Sequence, residues 1–403
     1  MKLIDITMDR KVIKMIHEAR WADGQTARNR LDDITYNPMR SQEEFVMRMV
    51  RENSQTEYGL KNNFKSIHTL EDFRHYIPLT AYDDYVDYVS RIAQGEKNLL
   101  TVYLTEYLSS LNGIRTFPQS RWSVQSFYDY SFAMAFNIAG NHSFLTDGVM
   151  LNLIDCSTEK LESGLTIGTI LGRLLTKREA NNNQGCIIPL DLTATSDKTD
   201  IRYCQALYAL SHKDLSLAIC EHYDDMVEML RYIEKHWPQL TEDIEKGNTL
   251  VQPDAERANE IREIMEEHHI GTQMVEQLWP TLHCIIVYDV DRLSANFTML
   301  RTYCGPQVHF IFAGINSPEG LYTTTLNLDD PQTVLIPDGM FYEFKPTESR
   351  SYSQLLTLDQ LEIGRSYELV ATTLSGLYRY KTKKTFLVVG RYHDTPTVII
   401  DKG

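Results

Sequence analysis

The amino-acid sequence predicts an α/β protein in three stretches: mainly helical over residues 1–148, alternating strands and helices over 149–330, and β-rich over 331–403. Three observations carry that expectation. Apolar residues recur at helical spacing through the first 110 residues. Short, continuous apolar runs then alternate with helical stretches, the pattern of sheets buried on both faces. Over the last 70 residues, strand-length runs follow one another with only short turns between them.

In the helical stretch, Val12, Ile13, Ile16 and Ala19 share one face of a first helix. Ser41, with Glu44 three residues on, reads as a capping box opening a second helix, whose buried stripe is Phe45, Val46, Met49 and Val50. Thr69 and Asp72 mark another capped start. The strand-length runs are Met150 to Ile154, Cys186 to Leu190, Leu215 to Cys220, His283 to Tyr288 and Val308 to Phe312. Between them, Met226, Leu230, Ile233 and Trp237 give a helix over Asp224 to Lys246. At the C-terminal end, Val334 to Pro337, Met340 to Phe344, Tyr367 to Thr373, Leu377 to Tyr380, Phe386 to Val389 and Thr397 to Ile400 predict a meander or small β-barrel-like unit. The loop-like stretches, 181–184 and 347–353, are too short for a clear interdomain linker, so one large domain is expected.

With 55 acidic and 40 basic residues, the chain carries a formal charge of -15, a field that repels phosphate backbones and anionic membrane surfaces. No nucleic-acid or membrane partner is expected. Residues 1–21 lack the apolar core of a signal peptide, and no run is long enough to span a bilayer. The six cysteines form no CxxC pair and mostly sit in apolar runs, as reduced thiols of a cytoplasmic protein do.

Generic catalytic patterns are missing: no GxxxxGK[ST], GxGxxG, GxSxG or HExxH occurs. His268 and His269 are adjacent, so on a helix they point to different faces and make a poor ligand pair. Gly164, Gly168 and Gly172 recur every four residues at a probable helix start, reading as a narrow face for close approach or as a substrate wall. The residues alone yield an α/β protein and no reaction.

Read as ordered text, the chain resembles the auxin-responsive amido synthetases (the Gretchen Hagen family). The resemblance is carried in order by Thr69 to Tyr85, Arg91 to Glu96, Tyr203 to Tyr208, Glu234 to Leu240 with Asp243 to Gly247, Leu278-Trp-Pro280, Met340 to Pro346 and Tyr367 to Tyr380. It implies an adenylate-forming, firefly-luciferase-like fold, of which residues 1–403 are the large N-terminal domain, with the smaller mobile C-terminal domain absent and supplied, if at all, by a partner polypeptide. It also implies chemistry: ATP and Mg activate a small carboxylic acid as an acyl-adenylate, which an amino acid's amine then attacks.

The resemblance assigns site residues segment by segment. In the family, a Thr-Glu-(Phe/Tyr) lead-in runs into a Ser-Ser-Gly-Thr-(Ser/Thr)-Ser-Gly-Gly phosphate loop. Here Thr105-Glu-Tyr-Leu-Ser-Ser110 is kept, but Leu111-Asn-Gly-Ile-Arg-Thr-Phe-Pro118 follows, leaving Ser109, Ser110 and Gly113 as its remnant. Glu319 falls on the metal-associated carboxylate, with Ser317 two residues before it; its alternative is an exposed loop acid. The third segment, Leu-Tyr-Arg-Tyr-(Arg/Lys)-Val-Gly-Asp in the family, aligns Tyr378 and Arg379 but puts Lys384 where the ribose-binding Asp belongs. Lysine has three donors and no acceptor, so it cannot receive the ribose hydroxyls. Leu165, Thr166 and Ile167, beside a helix over Trp122 to Phe136, are the implied acyl wall. Two functions stay open: an ATP-dependent acyl-acid amido synthetase, impaired or inactive, and a non-catalytic relative that binds a small molecule or a protein.

Overall fold

In the computed structural model, residues 9–111, 115–179, 185–189, 192, 198–267, 273–288 and 295–401 are described. Gly113, 181–184, His268 and His269 lie outside them.

Asp9 opens helix α1 (Arg10–Thr35) by accepting from the Lys11 amide. Its buried face is Ile13, His17, Arg20, Gly24, Ala27 and Leu31. Of the face read from apolar spacing, Ile13 is buried, Val12 and Ile16 are half-buried and Ala19 is exposed. The reason is steric. A Cβ at Gly24 would lie 2.0 Å from the Ala133 carbonyl oxygen, so the helix faces the neighbour it can approach closely. Helix α2 (Pro38–Glu52) starts three residues before the expected Ser41 cap. Asn37 accepts from the Arg40 amide at 3.2 Å, and Pro38 takes the first turn, where its missing N–H costs nothing. Its stripe of Phe45, Val46, Met49 and Val50 is buried. Helices α3 (Glu57–Lys61), α4 (Leu70–Tyr76) and α5 (Val86–Ala93) follow, α4 with the expected Thr69–Asp72 capping box.

The helix expected over Trp122 to Phe136 is longer and irregular: α6 (Arg121–Phe127), a π-helical turn over Tyr128–Ala133, then α7 (Met134–Asn141). The 1–148 stretch also holds a hairpin, β1 (Thr105–Leu111) and β2 (Arg115–Ser120). With β4 (Thr158–Lys160) and β5 (Thr166–Gly168) it forms a sheet of order β2-β1-β5-β4.

Four apolar runs become the parallel sheet β3-β6-β7-β8, made of β3 (Val149–Asn152), β6 (Leu215–Cys220), β7 (Cys284–Val287) and β8 (His309–Phe312). Among the described residues, the Cys186 run reaches it through a single parallel bridge to Met150. Tyr223–Lys246 is a helix that buries Met226, Leu230 and Ile233. All six cysteines are buried as thiols. The three glycines do not share a helix face: Gly164 is in a turn, Gly168 ends β5, and only Gly172 lies on helix α8 (Ile170–Glu179). There the close approach holds, since a Cβ would come 2.5 Å from the Asp155 carbonyl oxygen.

After a short antiparallel pair, β9 (Asn316–Ser317) and β10 (Gly320–Leu321), the C-terminal strands form an open antiparallel sheet and not a barrel. They are β11 (Thr323–Thr325), β12 (Thr333–Leu335), β13 (Met340–Pro346), β14 (Ser366–Thr373), β15 (Tyr380–Tyr392) and β16 (Thr395–Ile400), in the order β11-β12-β16-β15-β14-β13. Helix α2 covers the β13 side: the Gln42 amide donates to the Pro337 and Met340 carbonyls and accepts from the Tyr342 amide at 2.8 Å. An edge protected in this way need not close on β11. Leu377 to Arg379 are not a separate strand; Arg379 sits at φ +47 in the turn that leads into β15.

Candidate functional site

A cavity of about 220 Å³ opens where the three larger sheets meet. Ser109 and Ser110 come from β1, Thr169 and Ile170 from the β5–α8 junction, and Lys384 and Ile400 from the antiparallel sheet. Glu221 and His222 directly follow β6, Tyr288 follows β7, and Ile315 to Pro318 follow β8. In an open parallel sheet the crevice outside the carboxyl ends of the strands is the usual ligand position, and this cavity lies there.

Of the residues assigned from sequence, Ser109, Ser110, Ser317 and Lys384 line this one cavity. The two serine hydroxyls are already engaged. Ser109 is within hydrogen-bond reach of the Phe117 carbonyl (3.2 Å) and the Pro318 carbonyl, and accepts from the Gln119 amide at 2.9 Å. Ser110 donates to the Arg115 carbonyl across the hairpin at 2.8 Å.

Glu319 is not an exposed loop acid. It is 6% exposed, accepts a hydrogen bond from the Tyr322 hydroxyl and does not line the cavity. Burial and the Glu319 charge together hold the Tyr322 phenol in its neutral form.

Tyr378 and Arg379 turn into the core instead. The Tyr378 hydroxyl donates to the Leu100 carbonyl at 2.9 Å, and its ring stacks on Tyr58 with centroids 4.7 Å apart. The Arg379 guanidinium forks onto Glu343 (2.7 and 2.9 Å) and donates to the Ile77 carbonyl at 2.7 Å and to the Arg74 carbonyl. Leu165, Thr166 and Ile167 lie half-buried on or beside β5, where Ile167 pairs with Leu108. Trp122 lines a cavity of about 370 Å³ with Tyr103, Arg48 and Tyr130, and Leu165 lines one of about 150 Å³ that shares Tyr103 with it.

Lys384 owes its direction to an irregularity in the sheet. Val370 pairs with Lys381 and Glu368 with Thr385, so Thr382, Lys383 and Lys384 face the single residue Leu369. Lys383 takes φ +61, and the Lys384 amide is held by the Thr382 hydroxyl at 3.1 Å. Bulges of this kind re-aim side chains, and here Lys384 lines the cavity with no carboxylate in ion-pair contact among the described residues.

Glu221, His222, Tyr288, Thr169, Ile170 and Ile400 were not found from sequence. The signal available for three of them was position, since Glu221 and His222 come after one apolar strand run and Tyr288 ends another, both on the ligand-binding edge. Burial raises the Glu221 carboxyl to about 7, against the pull of His222 and with the added repulsion of Asp225 and Asp155. Tyr288 is 4% exposed, and its buried hydroxyl has no hydrogen-bond partner among the described residues.

Residues 27–308 match the GH3 family N-terminal domain, and residues 333–401 match the GH3 family central domain. The chain is 26% identical over 420 residues to the probable indole-3-acetic acid-amido synthetase GH3.11 of Oryza sativa subsp. japonica, covering 93% of this chain and 70% of that protein. It is 23% identical over 409 residues to the indole-3-acetic acid-amido synthetase GH3.15 of Arabidopsis thaliana, covering 91% of this chain and 68% of that one. The solved acyl acid amido synthetase AtGH3.15 in complex with 2,4-DB superposes with a TM-score of 0.80 at 22% identity, over 94% of this chain and 70% of that chain. That likeness establishes the fold, with the α/β architecture expected from sequence. Among the described residues, no helix is long and apolar enough to cross a membrane.

Proposed function

This chain belongs to the GH3 family, and on that premise we propose that it binds a small carboxylic acid in the cavity between its sheets while its formation of an acyl-adenylate is impaired. The carrying observation is Lys384, a cation lining the cavity at the position where the family resemblance requires an acid for the ribose.

The residues present do not fit ATP with Mg. A lysine donates and cannot accept, so the ribose hydroxyls lose their partner there. The Ser109 and Ser110 hydroxyls are engaged with carbonyls of the protein itself, which removes two donors from any phosphate. Glu319, the carboxylate assigned to the metal, is buried against Tyr322 and does not line the cavity. The space itself, about 220 Å³, is smaller than the roughly 300–1,000 Å³ typical of sites for drug-sized ligands.

The small-acid part of the reading draws on the AtGH3.15 relative, whose solved complex holds 2,4-DB. A second reading, a working acyl acid amido synthetase, is favoured by the names of the relatives and by four sequence-assigned residues meeting in one cavity. ATP–pyrophosphate exchange with Mg across a panel of carboxylic acids separates the two. We expect no exchange above background; exchange with any acid overturns the impaired reading and supports the second.

A further inference from the structure

We infer that the cavity walled by Trp122 and Tyr103 takes an organic ammonium ion of the quaternary class, held by the two ring faces and the Glu52 carboxylate. It shares no lining residue with the cavity that holds Lys384, so the inference stands apart from the function proposed above. A quaternary nitrogen has no N–H, so such a ligand is not the amine that would attack an acyl-adenylate.

Two helices build the walls. Trp122, Gln125, Ser126 and Asp129 recur at helical spacing, so one face of α6 and its π-helical continuation lines the space. Distortions of that kind recur at functional sites. Arg48 and Glu52, four residues apart on α2, add a second wall. The volume of about 370 Å³ falls within the roughly 300–1,000 Å³ typical of small-molecule sites.

The rings of Tyr103 and Trp122 form a corner, with centroids 6.4 Å apart and planes at 62°. Trp122 is left 56% exposed. Tyr103 is fixed by its hydroxyl, which donates to Glu52. Burial and the Glu52 charge push that hydroxyl up to about 12, so the phenol stays neutral beside a carboxylate. Among the described residues no arginine or lysine lies over either ring, whereas the nearby Tyr130 ring already carries Arg30 at 5.8 Å. The face of an aromatic ring attracts a cation, tryptophan most strongly.

The charges select the same sign. Three acids, Glu52, Asp129 and Asp338, outnumber two arginines, Arg30 and Arg48, among the described lining residues. Arg30 is paired with Asp338. Arg48 holds its guanidinium 5.7 Å from the centroid of Phe45, a ring that lines the neighbouring cavity and not this one. The carboxylate tied to the aromatic corner is therefore Glu52, and it faces a ligand cation without an ion pair of its own to break.

The test is isothermal titration of the full chain with tetramethylammonium, choline, 3,3-dimethyl-1-butanol (the uncharged isostere of choline) and benzoate. Both cations are expected to bind, the alcohol about fivefold or more weakly than choline, and benzoate more weakly than either cation. Trp122→Phe should weaken choline, and Trp122→Ala should weaken it on the order of tenfold. Glu52→Gln should weaken choline and leave the alcohol unchanged, and Arg48→Gln should tighten choline by removing a like charge. Thermal melts of each variant separate lost binding from lost folding. The chain should also stay in the supernatant of phosphatidylcholine vesicles; sedimentation with them assigns the site to a lipid headgroup and overturns the free-ion form. Absence of binding by both cations overturns the inference, as does equal affinity for choline and its isostere or tighter binding of benzoate. So does unchanged choline affinity in Trp122→Ala, or weaker choline binding in Arg48→Gln. None of these measurements contains ATP, so their failure is distinct from failure of the impaired-adenylation reading.

Discussion

Replacing Arg379 by methionine, which keeps a long apolar stem and deletes the guanidinium, is expected to lower the unfolding free energy by about 3–4 kcal/mol. The figure comes from what the guanidinium touches. Its side chain is 10% exposed and that of Glu343 is 1% exposed, so the pair is shielded from water. Removing one member of a buried ion pair costs about 3–5 kcal/mol, because the survivor is left charged in a poor solvent. Arg74 still reaches Glu343 at 3.1 Å, which offsets part of the loss and selects the lower end of that range. The Ile77 and Arg74 carbonyls each lose a donor, adding about 1 kcal/mol where water does not replace it.

The assay is urea denaturation followed by tryptophan fluorescence, for wild type, Arg379→Met, Glu343→Gln and the double variant. The double variant is expected to lose clearly less than the two single losses combined, since each single change removes the same contact. A loss below about 1 kcal/mol in Arg379→Met, or strictly additive losses, refutes the reasoning. So does a variant of unchanged stability that no longer binds small acids, because Arg379 would then be a ligand contact and not a core tie.

Two further outcomes follow from other parts of the fold. The Glu221 carboxyl, ordinarily near 4.5 and raised by burial to about 7, favours the folded state least when ionised. Its contribution is therefore fully present below pH 4.5 and is lost as pH rises through about 7, by about 3 kcal/mol at most. Urea midpoints of Glu221→Gln and wild type should diverge between pH 5 and pH 8, with wild type falling faster; parallel profiles contradict the assignment. Gly24→Ala puts a Cβ 2.0 Å from the Ala133 carbonyl oxygen, forcing α1 away from the π-helical turn. We expect a loss of about 1–3 kcal/mol in the same urea assay, and an unchanged midpoint contradicts the packing argument.

Much of the fold was legible because its signals are local. Parallel strands buried on both faces must be apolar throughout, so Leu215 to Cys220 and Cys284 to Val287 announce themselves without knowledge of their neighbours. The Thr69–Asp72 capping box is a contact between residues three apart and reads directly from spacing. The second helix start was misread because Ser41 and Glu44 imitate a cap inside a helix that Asn37 and Pro38 had already begun. The buried side of α1 was missed for a different reason. Nothing local in His17, Arg20 and Gly24 marks a buried face, and only the helix passing across Gly24 selects it.

Sequence by itself determined the strands of the parallel sheet and several helices, the family resemblance and the fact that position 384 carries a lysine, all of which depend on neighbours along the chain. Tertiary structure alone decided which side chains meet. It turned Tyr378 and Arg379 inward onto Tyr58 and Glu343, buried Glu319 against Tyr322, and brought Glu221 and Tyr288 to the cavity with Lys384. The physical reason is that side-chain direction is set by register against a partner strand. Where three residues of β15 oppose one of β14, the ordinary alternation of faces is broken, and no spacing within a single strand carries that information.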